Sequence, residues 1–455
     1  LDAEGREMDI DGRDVTLTID AHIQDLAEAA LGRAVEHNNA RAGTCLVVDV
    51  STSEILALAN YPFFNPNVYR KQPTDVMRNR ATMDMFEPGS TMKPFLVAAA
   101  MQEKRIKPES RYFCENGKWK FKNHVINDDI HSYGWLTVNE IIRYSSNIGT
   151  AKIGMDLGAQ AYAGYLSRLG FGGRPGLGLP GEAKGLLRPA REWRDMDLAA
   201  ISFGQGVGVT AMQLARAYLC LANDGVMKPL RLFKDAAMEE QEEPEVRVFD
   251  ASVARAVREM LIEVVQKDGT GVKARIDGML VGGKTGTAQK ALPGGGYGKN
   301  YLSSFVGFFP GDKPKYLILA MVDDPSRAFY GSTVALPVVR EVTVGSLAYT
   351  CQLPIKDTDL AQLTKAAAAV PVVAAASYEI TAKAEQVEQV ADGDRVPDVR
   401  GMPLRKAIEV LARQGVVPKL EGRGAVVLRQ SPSAGDPWPK QVQPFTLWLK
   451  GYAES

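Results

Sequence analysis

Stretches that read as β-strand stand at both ends of the first 350 residues, with helix-like sequence between them. Near the start, "VTLTID" (15–20) alternates apolar and polar residues, and Asp20 is placed to cap "AHIQDLAEAALGRAVE" as a helix. "TCLVVDV" and "EILALAN" flank "STS", the pattern of an antiparallel hairpin. A helix-rich middle follows over about 90–260. Then "GMLVGGKTGTAQK", "LSSFVGFFP" and "KYLILAMVDDP" come as short apolar or alternating runs separated by Gly, Pro and Lys. Hairpin segments at the two ends of one unit must find each other across the helices. That predicts an α+β fold: one antiparallel sheet with helices packed on it.

At 455 residues the chain has room for two to four domains of about 150 residues each. Character changes at 353–394, which is rich in Ala, Val, Lys and Glu without regular apolar spacing and reads as a linker. Order resumes at "VPDVRG". "PLRKAIEVLARQG" puts Leu404, Ala407, Ile408 and Leu411 on one helical face and stops at Gly415. "AVVLRQSPSAGD" and "PFTLWLKG" follow as strands around a Pro/Gly turn, giving a β-α-β-β module. The expected domains are therefore 1–352, a linker at 353–394, and 395–455.

Lys plus Arg equals Asp plus Glu at 54 each, which disfavours a nucleic-acid partner. Four histidines with no HExxH or Cys/His cluster point to neither a metal nor another cofactor. Cys45, Cys114, Cys220 and Cys351 are scattered, and Cys45 and Cys220 sit in apolar runs as core thiols do; a disulfide involving Cys114 stays open. The best candidate membrane stretch, "AAAAVPVVAAAS", is too short and holds Pro371. The chain begins at Leu1 rather than at methionine, so a processed or trimmed product is expected.

Three short motifs carry possible chemistry. In "FEPGSTMKPF", Ser90 and Lys93 are three residues apart, so they share a helical face. Serine needs a base to act as a nucleophile, and a lysine serves only if burial or another cation disfavours its charge. The helix N-terminus beside Gly89 could stabilise an oxyanion, and Pro94 fits only the first helical turns. An ordinary helix start with a surface lysine has the same pattern. "TVNE" (137–140) is a capping box, and Ser145-Ser146-Asn147 falls at a break between two helices. A hydroxyl and an amide there could relay a proton or hold a substrate amide; N-capping is the plainer role. Lys284-Thr285-Gly286-Thr287 lies on a strand and lacks the Walker spacing. Lys284 could supply positive charge for a carboxylate, and Gly286 could let a substrate backbone pair along the strand. A lysine protecting an exposed sheet edge is the alternative.

The order and distances decide more than any one motif. SxxK is followed 55 residues on by SxN and 139 further by KTG. That set is the signature of class A β-lactamases and penicillin-binding proteins. Over about residues 10–350 the chain resembles a class B penicillin-binding protein, a peptidoglycan D,D-transpeptidase of the septal (FtsI/SpoVD) type. "GFGGRPGLGLPGE" and "SFGQGVGVTAMQLARAYLCLANDG" look like the family's flanking blocks, and "VPDVRGMPLRKAIEVL" with "RQSPSAG" resembles a PASTA domain.

The resemblance implies the penicillin-binding/β-lactamase-like fold, an antiparallel sheet with helices on both faces plus an all-helical subdomain. It also implies roles. Ser90 would be the acylated nucleophile and Lys93 its base. Ser145 would shuttle a proton, Asn147 bind the donor amide, and Lys284 polarise Ser145. Thr285 and Thr287 would hold the substrate carboxylate, with the N–H groups of Ser90 and Thr287 as the oxyanion hole. Gly286 belongs to the same substrate-binding set. The implied partners are D-Ala-D-Ala stem peptides, an amine acceptor, β-lactams, and divisome proteins including a lipid II glycosyltransferase. A membrane helix and pedestal are expected ahead of Leu1, with the catalytic domain outside the cytoplasm. SSN replaces SDN, and no acidic residue is assignable as a deacylating base. A D,D-carboxypeptidase, a β-lactamase or a non-catalytic wall-binding scaffold are the alternatives.

Overall fold

The computed structural model describes residues 14–350 except 65–69, 71, 129–131, 235–243, 293 and 295, together with 396–400, 402, 407, 410–411, 416, 418–421, 427–438 and 445–449. The chain divides into two compact units, Leu1–Pro371 and Val372–Ser455. The expected linker at 353–394, the stretch 366–377 and Cys351 lie outside the described residues.

The first unit is built on strands β1 (Ala42–Asp49) and β2 (Ile55–Tyr61), a small hairpin β3 (Lys118–Phe121) and β4 (His124–Asn127), and long strands β5 (Gly282–Ala291), β6 (Tyr297–Phe309) and β7 (Tyr316–Asp323). Its main helices are α1 (Ala21–His37), α2 (Lys93–Gln102), α3 (Val138–Tyr144), α4 (Asn147–Leu157), α5 (Ala211–Ala222), α6 (Ala251–Val265) and α7 (Leu336–Tyr349). The central sheet runs β2-β1-β7-β6-β5, antiparallel throughout. The two ends of the unit do meet, as β1 pairs β7 along its whole length from Ala42↔Asp323 to Asp49↔Tyr316.

Successive side chains of a strand face opposite ways, and here both faces are covered. Cys45, Val47, Phe305 and Ile318 pack with Ile23, Leu31 and Val342 of α1 and α7. Leu46, Val48, Val306 and Leu319 pack with Phe95, Leu96 and Leu219 of α2 and α5. This explains why β1 and β7 read as continuous apolar runs rather than alternating ones. Asp20 caps α1 as expected, accepting from the N–H groups of His22 at 2.9 Å and Ile23 at 3.1 Å. Cys45, Cys114 and Cys220 are buried free thiols, and burial pushes Cys45 and Cys220 up to about 12.

The expected strand over 15–20 does not form. Leu17 bridges Phe233, with backbone bonds from Thr18 N–H to the Leu232 carbonyl at 2.9 Å and from Lys234 N–H to the Thr16 carbonyl at 2.8 Å, while Asp20 N–H turns to the Leu56 carbonyl at 2.9 Å; the segment is shared between two partners and builds no continuous ladder. In the second unit, strands β8 (Lys419–Glu421), β9 (Val427–Ser431) and β10 (Thr446–Leu449) form a sheet in the order β8-β10-β9. The β-α-β-β expectation changes in one respect. Residues 396–400 are not strand, and Lys419–Glu421 supplies the third strand, parallel to β10. Val396, Val399, Ala407, Leu411, Val427, Phe445 and Leu447 form this unit's core.

Candidate active site

The nucleophile candidate sits on a 3₁₀ turn, Gly89–Met92, that runs directly into α2. Pro94 lies in the first turn of that helix, where its missing N–H costs nothing. α2 is buried on all sides: Phe95 through Ala100 have no exposure. A helix enclosed in this way fixes the height and rotation of the turn at its mouth.

Ser145 and Asn147 come from the junction of α3 and α4. Thr137 and Glu140 form the expected capping box at the start of α3. The chain then breaks at Ser145, a non-glycine residue in the left-handed region at φ 63°. Such a residue costs about 1–3 kcal/mol and persists where its surroundings over-determine it. Ser146 caps α4, accepting from the Gly149 N–H at 2.9 Å.

The third motif lies on β5, the edge strand of the sheet. Lys284 is nevertheless fully buried, as is Lys93, so neither is a surface lysine. Lys93 Nζ donates to the Ser145 carbonyl, to Ser145 Oγ at 3.2 Å and to Asn147 Oδ1 at 2.8 Å. Lys284 Nζ donates to Ser145 Oγ at 2.9 Å and to its neighbour's carbonyl at 3.2 Å. One hydroxyl therefore stands between two buried amines from different parts of the chain. Burial and a like charge each disfavour an ammonium, so the arrangement opposes two simultaneous charges.

Ser90, Ser145, Asn147, Thr285 and Thr287 all line one cleft of about 530 Å³. The Thr285 and Thr270 hydroxyls share a hydrogen bond at 3.1 Å, in which either can donate, and Thr287 Oγ1 accepts from the Gly331 N–H at 3.1 Å. A Cβ at Gly286 would meet Ser304 Oγ at 2.2 Å and the Thr91 methyl at 2.9 Å, so its bareness makes room for the neighbouring strand β6 and for the nucleophile turn. A second cavity, of about 680 Å³, contains none of the three motifs. Its five cations are all matched by carboxylates, including Arg80 by Asp75 and Lys290 by Asp323.

Several residues at the cleft were not found by motif reasoning. Asp128, at the end of the β3–β4 hairpin, accepts from Asn147 N–H at 2.6 Å and Ile148 N–H at 3.0 Å on Oδ1, and from Ser146 Oγ at 2.8 Å on Oδ2. It holds the start of α4 with a charge that suits a helix N-terminus. Asn147 is fixed at its other end too, since its Nδ2 donates to the Asn127 carbonyl at 2.9 Å. Stacked rings form two walls, Tyr133 on Tyr144 and Tyr301 on Phe329. No local spacing announces these residues; each reaches the cleft by tertiary contact alone.

Glu87, three residues before Ser90, accepts from the Gly206 N–H at 2.8 Å. Burial, more than any other influence, raises its pKa above the usual carboxyl range; the bond from Gly206 and the Tyr297 hydroxyl oppose the rise. A carboxyl whose pKa is higher folded than unfolded holds its proton more tightly in the native state. Stability from this group is thus lost as pH climbs from the ordinary carboxyl range through the raised value. The expected result is that the Tm of Glu87→Gln relative to wild type is more favourable at pH 7 than at pH 4. Thermal scans across that range giving a constant difference would contradict this account.

A mixed α/β domain in which SxxK, SxN and KTG meet at one cleft defines the serine acyl-transfer enzymes that react with penicillin. Comparison with known proteins makes the assignment specific. Residues 43–343 match the penicillin binding protein transpeptidase domain, and residues 394–449 match the PASTA domain. The chain belongs to the penicillin-binding protein transpeptidase family. It is 38% identical over 348 residues to the probable peptidoglycan D,D-transpeptidase PenA of Neisseria gonorrhoeae, covering 76% of this chain and 59% of the relative. It is 36% identical over 335 residues to the peptidoglycan D,D-transpeptidase FtsI of Escherichia coli K12, covering 73% and 56%. The chain thus spans less than two thirds of the length of these curated relatives. The solved apo structure of the TP domain from Burkholderia pseudomallei penicillin-binding protein 3 matches with a TM-score of 0.67 at 38% identity, covering 76% of this chain and 99% of that one.

Proposed function

We propose that this chain is a serine D,D-transpeptidase that cross-links peptidoglycan stem peptides, acting in septal wall synthesis. The observation that carries the reading is Ser145 Oγ between Lys93 Nζ and Lys284 Nζ, at 3.2 and 2.9 Å, in the cleft onto which Ser90 opens. Ser90 Oγ attacks the carbonyl carbon of the penultimate D-Ala, and its proton passes to Lys93. Beside the Ser145 carbonyl and Asn147 Oδ1, which can only accept, the Ser145 hydroxyl that Lys93 also meets can turn round and donate. The proton therefore moves through Ser145 to the departing D-Ala nitrogen as the peptide bond breaks. Lys284 holds that hydroxyl in line. The N–H groups of Ser90 and Thr287 receive the oxyanion. Thr285 and Thr287 hold the terminal carboxylate, and Asn147 holds the donor amide. An amine from a second stem then attacks the ester, gives up its proton by the reverse path and frees Ser90. A β-lactam stops the cycle at the ester.

Asp128 favours transfer to an amine over rapid hydrolysis. Among the described residues it is the carboxylate that bonds the SxN motif, and both its oxygens are engaged by donors of the α4 start, so it is not poised to activate water. The reading extends to an extracytoplasmic catalytic domain, an anchor ahead of Leu1, and divisome partners including a lipid II glycosyltransferase, on the strength of the likeness to FtsI. Its domain boundaries are 1–352 and 395–455. Labelling with a fluorescent penicillin tests the reading. Wild type should take up one stable equivalent and Ser90→Ala none. Label persisting on Ser90→Ala would remove the site assignment, and label released at the rate of turnover would favour a hydrolase.

A further inference from the structure

The β3–β4 hairpin forms one bank of the cleft, and its two faces differ. Trp119 and Phe121 turn inward and pack against the core. Lys118 and Lys120 alternate with them and are exposed. The antiparallel register sets Lys118 opposite Asn127 and Lys120 opposite Val125. Residues directly opposite share a face, with Cβ atoms about 4.5–5.5 Å apart. Asn127 and Val125 both line the cleft, and the Asn127 carbonyl holds Asn147. Two lysines thus stand one strand beyond the cleft wall, on the same face of the hairpin as Val125 and Asn127.

Other lysines nearby are already matched: Lys122 pairs with Asp195, and Lys152 pairs with Glu115. Among the described residues neither Lys118 nor Lys120 forms an ion pair. A ligand running out of the cleft past Asn127 meets two uncommitted cations on flexible four-carbon stems. We propose that Lys118 and Lys120 form a basic subsite for a carboxylate that the peptide substrate carries away from its reactive terminus. This rests on reading the cleft as a stem-peptide site and names the charge that its outer part prefers.

The test compares two peptides ending in D-Ala-D-Ala, one bearing a free carboxylate upstream and the other its amide. Turnover is measured at low salt for wild type, Lys118→Gln/Lys120→Gln and Lys118→Glu/Lys120→Glu, with penicillin acylation as a control for an intact Ser90 site. Wild type should favour the carboxylate peptide in kcat/KM by about threefold to tenfold, the range expected of two exposed ion pairs. The preference should vanish in the glutamine pair, reverse in the glutamate pair and shrink in 0.5 M salt, because the Debye length falls from about 30 Å at 0.01 M towards about 3 Å at 1 M and exposed pairs are screened. Penicillin acylation should stay unchanged. Equal use of the two peptides by wild type, or a preference that survives in both variants, overturns the subsite alone. Turnover of neither peptide while penicillin still acylates Ser90 overturns the stem-peptide reading and the subsite with it.

Discussion

Lys93→Met should fold and yet acylate with penicillin about 10²–10⁴ times more slowly, the range that a positioned general base supplies. Methionine fills much of the space of a fully buried lysine stem. What it cannot do is donate to the Ser145 carbonyl or Asn147 Oδ1, or exchange a proton with Ser145 Oγ. These acceptors are half-buried at the cleft, so losing their donor costs at most about 1–3 kcal/mol each and Tm should fall as well. Lys284→Met removes a different donor from the same hydroxyl. If both amines act through Ser145, the double variant should be little worse than Lys93→Met alone, because groups that work as a unit lose their effects non-additively. Stopped-flow acylation of the three variants measures this. A loss below tenfold for Lys93→Met would remove it as the base, and fully additive losses would separate Lys284 from Ser145.

The sequence showed the chemistry more clearly than its support. Ser90 and Lys93 were legible because helical spacing is fixed by backbone geometry. Thr137 and Glu140 were legible for the same reason, and Asp20 because a cap bonds within three residues of itself. Sheet topology followed from apolar runs that must be buried on two faces. The failures share a different cause. Alternation in 15–20 promised a strand, but the segment divides its backbone bonds between two partners, Leu232 and Lys234 on one side and Leu56 on the other, so no ladder propagates. Lys284 sits on an edge strand, yet helices and Ser145 bury it, which no one-dimensional pattern reveals. Asp128 lies 18 residues from the serine it bonds and belongs to no motif.

Gly204→Ala should be severely damaging, although Gly204 lies outside all three motifs. Its φ is +86°, and a Cβ there would stand 2.0 Å from the Gly89 carbonyl oxygen and 2.6 Å from Gly89 N and C. These are backbone atoms that no rotamer change can move aside. The same two residues are joined by a hydrogen bond from Gly89 N–H to the Gly204 carbonyl at 3.0 Å. Gly89, itself at φ +55°, is held on its other side by β5, where its own Cβ would meet Ala288 Cβ at 3.3 Å. The turn bearing Ser90 is therefore clamped between the 204–206 loop and the KTG strand. Alanine at 204 must either push that turn toward the cleft or break the bond to Gly89. Overpacking of this kind costs about 1–3 kcal/mol in an ordinary core, and more where the obstacle is backbone. Gly278→Ala provides the control: φ is +81° with nothing within 4 Å, so it carries only the left-handed strain of about 1–2 kcal/mol. Thermal unfolding should therefore show a far larger loss for Gly204→Ala than for Gly278→Ala, and any folded fraction of Gly204→Ala should react slowly with penicillin. Equal losses in the two variants would mean that the clamp yields, and that the position of Ser90 is set by α2 alone.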